Sequence, residues 1–172
     1  MLDSVPAESR MPAWRRVRAA IDDGAATLPQ DISELDGRDD LDKTTRQMLV
    51  DDRLGQGKFR RAVDLLWDQS CAVSGCNVRE VLRASHIKPW KSSTDRERLD
   101  GHNGLLLTAD IDALFDRGLI SFADDGEMIV SSRLAKPNRK LLRLERPLRK
   151  KPNKAQCRYL ADHRQRWAFD PA

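Results

Sequence analysis

One histidine, one asparagine and two aspartates carry the chemical interest of this 172-residue chain. The imidazole of His86 has a free pKa of about 6.5, which makes it the usual side chain for taking a proton from water near neutrality. Taken alone, a single histidine among apolar neighbours such as Leu82 and Ile87 is more often a hydrogen-bonded core residue than a catalyst. Asn103 opens an apolar run, where it can act on a neighbouring loop or simply begin a strand. Asp112 and Asp116 are four residues apart in a short predicted helix, so both carboxylates project from one face. Like charges at that spacing repel, and a cation between them relieves the repulsion. Carboxylate oxygens suit a hard ion such as Mg²⁺ or Mn²⁺. A solvated acidic face, with Asp116 answering Arg117 or Arg133, has the same spacing. The three groups in this order carry more weight than any one of them.

The elements that must position these residues can be read from pattern. "KFRRAVDLLWDQ" is a predicted helix with Phe59, Val63, Leu66 and Trp67 on one face, and "LGQG" before it reads as a turn. "CAVSGCNV" is a tight loop punctuated by Gly75. "VLRASHIKPW" is extended, because Pro89 stops any helix and pushes Lys88 toward β geometry. A polar loop over 91–102 leads to "NGLLLT", a short buried strand. "ADIDALFDRG" is a short helix closed by Gly118. "LISFADDGEMIVSS" is a hairpin around Asp125-Gly126. "NKAQCRYLADHRQRWAF" is a last helix with Asn153 as its N-cap. Upstream, "PAWRRVRAAIDDG" is a helix and 31–45 an acidic linker or short helix.

Composition narrows the setting. The hydrophobic share is 40% and the charged share 34%, which fits a soluble domain with a modest core. No apolar run is long enough to cross a membrane, and the N-terminus has no apolar signal region. Three cysteines, Cys71, Cys76 and Cys157, make an odd count that fits reduced thiols in the cytoplasm. Net charge is +4, unevenly spread: residues 133–166 hold 13 Lys/Arg against Glu145 and Asp162. A field that dense attracts a polyanion, of which nucleic acid is the common one, and a solvated tail would carry the same charge.

The string "CAVSG…LRASHIKPW…ERLDGHNGLLLTADIDALFDRGLISF" resembles the HNH endonucleases, and more closely a subfamily found in restriction-type enzymes in which an aspartate replaces the third histidine. In that family a metal ligand follows the asparagine by nine residues, and in the nuclease colicins another follows four later. Asp112 and Asp116 stand at those positions after Asn103. The upstream "RLGQGKFR" and the terminal "YLADHRQRWAF" resemble flanking stretches of the same family.

The resemblance implies an α+β fold, a ββα-metal core with flanking helices and a β-hairpin. It divides the chain into an N-terminal helical and acidic arm (1–52), a nuclease domain (53–135) and a basic C-terminal extension with the final helix (136–172). It further implies metal-dependent hydrolysis of DNA phosphodiester bonds, with restriction of foreign or modified DNA as the setting. His86 would be the base, Asn103 the brace of the loop that holds it, and Asp112 and Asp116 the ligands of Mg²⁺ or Mn²⁺. Many relatives have Asp or His just before the base; this chain has Ser85, a poor ligand. Double-stranded DNA is the expected partner, contacted by Arg60, Lys88, Arg149, Lys150, Lys151 and Arg164. A homodimer or a separate specificity domain would complete double-strand cutting. Structural zinc is not expected, since Cys71 and Cys76 lack a second pair. The alternative is a DNA-binding module that keeps the fold without cutting. His102 reads as a loop residue and His163 as a packing one.

Overall fold

A long helix, α1 (Lys43–Leu66), enters the fold with its C-terminal part carrying Phe59 and Val63, both buried. The computed structural model describes residues 43–169. The expected helix at 12–24 and most of the acidic stretch lie outside the described residues. The chain divides into two compact units, 1–57 and 58–172. The "LGQG" stretch, expected as a turn, is helical instead. Glycine costs about 1 kcal/mol against alanine in a helix interior, but it keeps its N–H and leaves the hydrogen-bond ladder intact.

The core of the second unit is a two-stranded antiparallel sheet. β1 (Leu82–His86) pairs with β2 (Gly104–Thr108), with Leu82 opposite Thr108 and His86 opposite Gly104. Leu105, Leu106 and Leu107 are all fully buried, so β2 is covered on both faces. One cover is α1: Trp67 donates its indole N–H to Gly104 O at 3.2 Å. A Cβ on Gly104 would collide with Val63 Cγ2 and crowd the Phe59 ring, so only glycine admits the helix here. Another cover is α3 (Ala109–Asp116), which packs on both strands and buries Ile111 and Phe115. It ends at Gly118, whose φ of +60° suits glycine. Strand, strand, helix is the ββα order that the sequence pattern implied.

The 91–102 stretch, expected as a polar loop, contains a short helix, α2 (Asp95–Leu99). Thr94 and Glu97 form a capping box, each side chain accepting the other's backbone N–H. A hairpin follows, β3 (Ile120–Phe122) and β4 (Met128–Val130), then a short helix α4 (Lys136–Leu141). Leu148 N–H bonds Gly126 O and Arg149 N–H bonds Ala72 O, both at 2.8 Å, while Ala72 N–H bonds Leu106 O at 2.6 Å. The basic segment thus runs as an extended strap from the hairpin turn to the loop beside β2. α5 (Lys154–Arg166) closes the unit, with Asn153 as N-cap and Gln156 completing a second capping box. It packs on β3 and on the 101–103 turn.

Candidate active site

His86 is the last residue of β1, half-buried and stacked on Phe59 with ring centroids 3.5 Å apart and planes 11° from parallel. Trp90 meets it edge-on at 5.5 Å. The His86 Nε2 lies 3.1 Å from Arg98 O. A carbonyl only accepts, so this bond places the imidazole proton on Nε2 and leaves Nδ1 with its lone pair. Burial lowers the His86 pKa below its usual value, with the Arg98 carbonyl opposing in part. The ring is therefore neutral at pH 7.

Asn103 is completely buried and its side chain ties together the turn that carries His86's neighbours. Its Oδ1 accepts from Lys88 N–H at 2.8 Å; its Nδ2 donates to Lys88 O at 3.2 Å, Glu97 O at 3.1 Å and Ser93 Oγ at 3.4 Å. Asn103 O also accepts from Ile87 N–H at 2.9 Å. Residues 88 to 97 are thereby hung on one side-chain amide, and Arg98 O is the next carbonyl along. Lys88 pairs with Glu97 at 2.8 Å. That bond, followed by the Thr94 N–H, draws the Glu97 carboxyl down to about 2, so the clamp stays charged across the neutral range.

Asp112 and Asp116 stand on α3. Ser85 Oγ donates to Asp116 Oδ1 at 3.3 Å, so the serine that replaces a ligand in relatives faces the same carboxylate. Crowding by protein atoms raises the Asp116 pKa, with the negative charge of Asp112 second; the Ser85 bond and the charges of Arg166 and Arg117 oppose. Among the described residues no group of three His, Cys, Asp or Glu is gathered. The donors are two carboxylates and a hydroxyl, all hard oxygens, and the repulsion between the carboxylates is one that a divalent cation would relieve. The chemistry of this donor set fits a hard divalent cation.

Residues 71–123 match the family model described as HNH endonuclease. Over this segment the chain is similar to the HNH endonucleases. A comparison with curated proteins finds no match to the chain. Within the HNH segment lie His86, Asn103, Asp112 and Asp116; α1 with Phe59 and α5 lie outside it.

Of the cations expected to meet DNA, Lys88 lies within the HNH segment and the others outside it, and all but Lys151 have protein partners among the described residues. Arg60 bonds Asp64 and Leu82 O, both at 3.0 Å. Arg164 bonds Phe122 O at 2.7 Å and Asp124 at 2.8 Å. Lys88 is held by Glu97, as above. Arg149 reaches Ser70 Oγ at 2.6 Å, and Lys150 pairs with Asp68 at 2.7 Å. Lys151, exposed, has no hydrogen bond or ion pair among the described residues. Arg149 and Lys150 are also exposed, so both keep N–H groups facing solvent.

Three participants escaped the sequence reading. Arg98 acts through a carbonyl, which no side-chain pattern reports. Phe59 was legible as a core residue but not as the stacking partner of His86. The Thr94-x-x-Glu97 box was a usable signal for α2, and with it for the position of Arg98. Of the remaining histidines, His102 Nδ1 accepts from Asn153 Nδ2 at 3.0 Å, and His163 sits in the core. Cys71, Cys76 and Cys157 are free thiols, and Cys71 Sγ accepts from Val73 and Ser74 N–H.

Proposed function

We propose that this protein is a metal-dependent endonuclease that hydrolyses DNA phosphodiester bonds, with His86 as general base. The observation that carries the reading is the His86–Arg98 bond. It fixes the proton on Nε2 and frees Nδ1, while burial keeps the ring neutral at the pH where a base must act. Asn103 holds the turn that supplies Arg98 O and so orients the base without touching the reacting atoms. Asp112 and Asp116 would hold Mg²⁺ or Mn²⁺, which supplies charge stabilisation at the phosphate. His86 takes a proton from water, Asn103 keeps the imidazole in register, and the exposed Arg149, Lys150 and Lys151 attract the flanking phosphates. Restriction of foreign or modified DNA in the cytoplasm is the setting this activity fits, with a dimer or a separate specificity domain for cutting both strands.

Supercoiled plasmid incubated with Mg²⁺, Mn²⁺ or EDTA tests the reading. Nicked or linear product is expected with metal and none with EDTA. Asp112→Asn should suppress cleavage strongly and Asp116→Asn less. Intact plasmid in every metal, with duplex still bound, would favour the non-cutting DNA-binding module instead.

A further inference from the structure

The C-terminal helix lies outside the matched HNH segment, yet its last residue reaches the candidate site. Arg166 ends α5 and donates Nη2 to Ile87 O at 3.1 Å. Ile87 directly follows His86, and Asn103 O already holds its N–H. The residue after the candidate base is therefore gripped from two sides, by the HNH asparagine and by an arginine from elsewhere in the chain.

Two further contacts fix where Arg166 stands. Trp167, the next residue, lays its ring over Gly118, and any Cβ at Gly118 would collide with that ring. The Arg166 guanidinium is 5.9 Å from the same ring. Three residues earlier, His163 is wholly buried and bonds Phe115 O at 3.1 Å. The end of α5 is thus locked to the exit of β1 and to the end of α3, the two elements that supply His86 and the aspartates.

The placement leaves the guanidinium open. Arg166 is exposed, and Ile87 O accepts from only one of its five N–H donors; no other acceptor is in place among the described residues. Arg166 feels the charge of Asp162 and, second to it, that of Asp116, and it joins neither in an ion pair. A phosphodiester approaching two carboxylates needs a compensating cation beside the divalent ion. A planar fork pinned at one corner is the side chain that grips phosphate oxygens with least loss of rotamer freedom.

We propose that Arg166 is a phosphate-binding residue of the active site, holding a non-bridging oxygen of the phosphodiester that His86 addresses. The proposal rests on the nuclease reading and extends the site beyond the HNH segment to α5. The bland alternative is a brace, in which Arg166 only pins the helix to Ile87.

Two variants separate the roles. Arg166→Gln keeps a donor for Ile87 O and loses the charge; Arg166→Lys keeps the charge and loses the fork. Three quantities are measured for each in the full chain: the cleavage rate at saturating plasmid, the Tm, and the salt dependence of duplex affinity in a His86→Ala background with Ca²⁺. A phosphate contact predicts a cleavage loss on the order of 100-fold for Arg166→Gln, from removing a preorganised charge partner. It also predicts a log–log salt slope reduced by about 0.9, one phosphate's worth. Arg166→Lys should recover the slope and part of the rate, with Tm unchanged in both. A Gln variant that cuts within twofold of wild type with an unchanged slope would overturn the proposal, as would equal loss of Tm and rate in both variants. Calorimetry with Mn²⁺ alone adds a separate check: Arg166→Gln should bind the ion at least as tightly as wild type, because a competing positive charge has gone. If wild-type protein cuts no DNA at all, the nuclease reading falls, and the slope measurement still decides for or against Arg166.

Discussion

Two histidines in this fold begin from almost the same environment, and the proposed function gives them opposite roles. His86 stacks on Phe59 at 3.5 Å and His163 on Phe115 at 3.9 Å, each within about a dozen degrees of parallel. Each sets Nε2 3.1 Å from a backbone carbonyl, that of Arg98 or of Phe115. The difference is at the second nitrogen. Ser121 Oγ lies 3.0 Å from His163 Nδ1 and completes its hydrogen bonding in a site with no exposure. Among the described residues His86 Nδ1 has no such donor, and its ring is only half-buried. Stacking and one carbonyl bond fix a histidine; what faces the remaining lone pair decides whether it is structure or reagent.

Exchanging the two losses tests that contrast most severely. His86→Ala should lower cleavage by about a thousandfold, within the range for removing a general base, and leave Tm near wild type. His163→Ala should do the reverse. It leaves a cavity against Phe115 and strands the Ser121 hydroxyl, costing about 3 kcal/mol in chemical denaturation, while the protein that remains folded still cuts. If His163→Ala abolished cleavage at unchanged stability, the division of roles between the two would fail.

Acid sharpens the same comparison. Burial, the main cause, takes His163 down to about 4 from an ordinary 6.5. The unfolded chain therefore binds this proton first, so its contribution is complete above pH 6.5 and is lost as pH falls toward 4. The total is about 3 kcal/mol. His86 is also lowered by burial, and a base works when unprotonated. The cleavage rate should accordingly decline at a lower pH than an ordinary imidazole would give, and a His163→Phe variant should keep that decline in rate while losing most of the acid decline in stability. Denaturation midpoints and initial rates over pH 4.5–7.5 separate the two curves. The smallest effect belongs to Ser121→Ala, which removes the donor to His163 Nδ1 and should cost about 1–2 kcal/mol without changing the cleavage rate.

The sequence made the HNH segment readable because its chemistry sits at fixed offsets. Asn103, Asp112 and Asp116 are tied by one strand and one helix, so spacing alone reports their geometry. The same locality made the capping residue Asn153 and the Asp125-Gly126 hairpin legible. What spacing could not report were contacts made across the fold. Arg166 lies 79 residues from the carbonyl it bonds, and its neighbours in sequence say only that it ends an amphipathic helix. The "LGQG" stretch misled for a different reason: two glycines signal a turn by propensity, yet neither removes a hydrogen bond from α1. The cations of the basic segment were visible as charge, while their protein partners, Ser70 for Arg149 and Asp68 for Lys150, emerged only with the fold.

The pairing of Asn103 with Gly104 has a consequence for how this protein ages. Each residue is dictated separately: the amide by its four hydrogen bonds, the glycine by the close approach of Val63 and Phe59. Together they spell the dipeptide most prone to deamidation, since glycine leaves its backbone nitrogen unhindered for attack on the asparagine side chain. In the folded state that attack is restrained, because Gly104 N–H is bonded to Gly101 O and the Asn103 amide is locked. Each excursion to the unfolded chain releases both restraints. An aspartate formed there would return a carboxylate to a place where Lys88 O, Glu97 O and Ser93 Oγ require a donor. The site thus keeps a chemical record of unfolding, with damage falling first on the residue that holds the base loop in place.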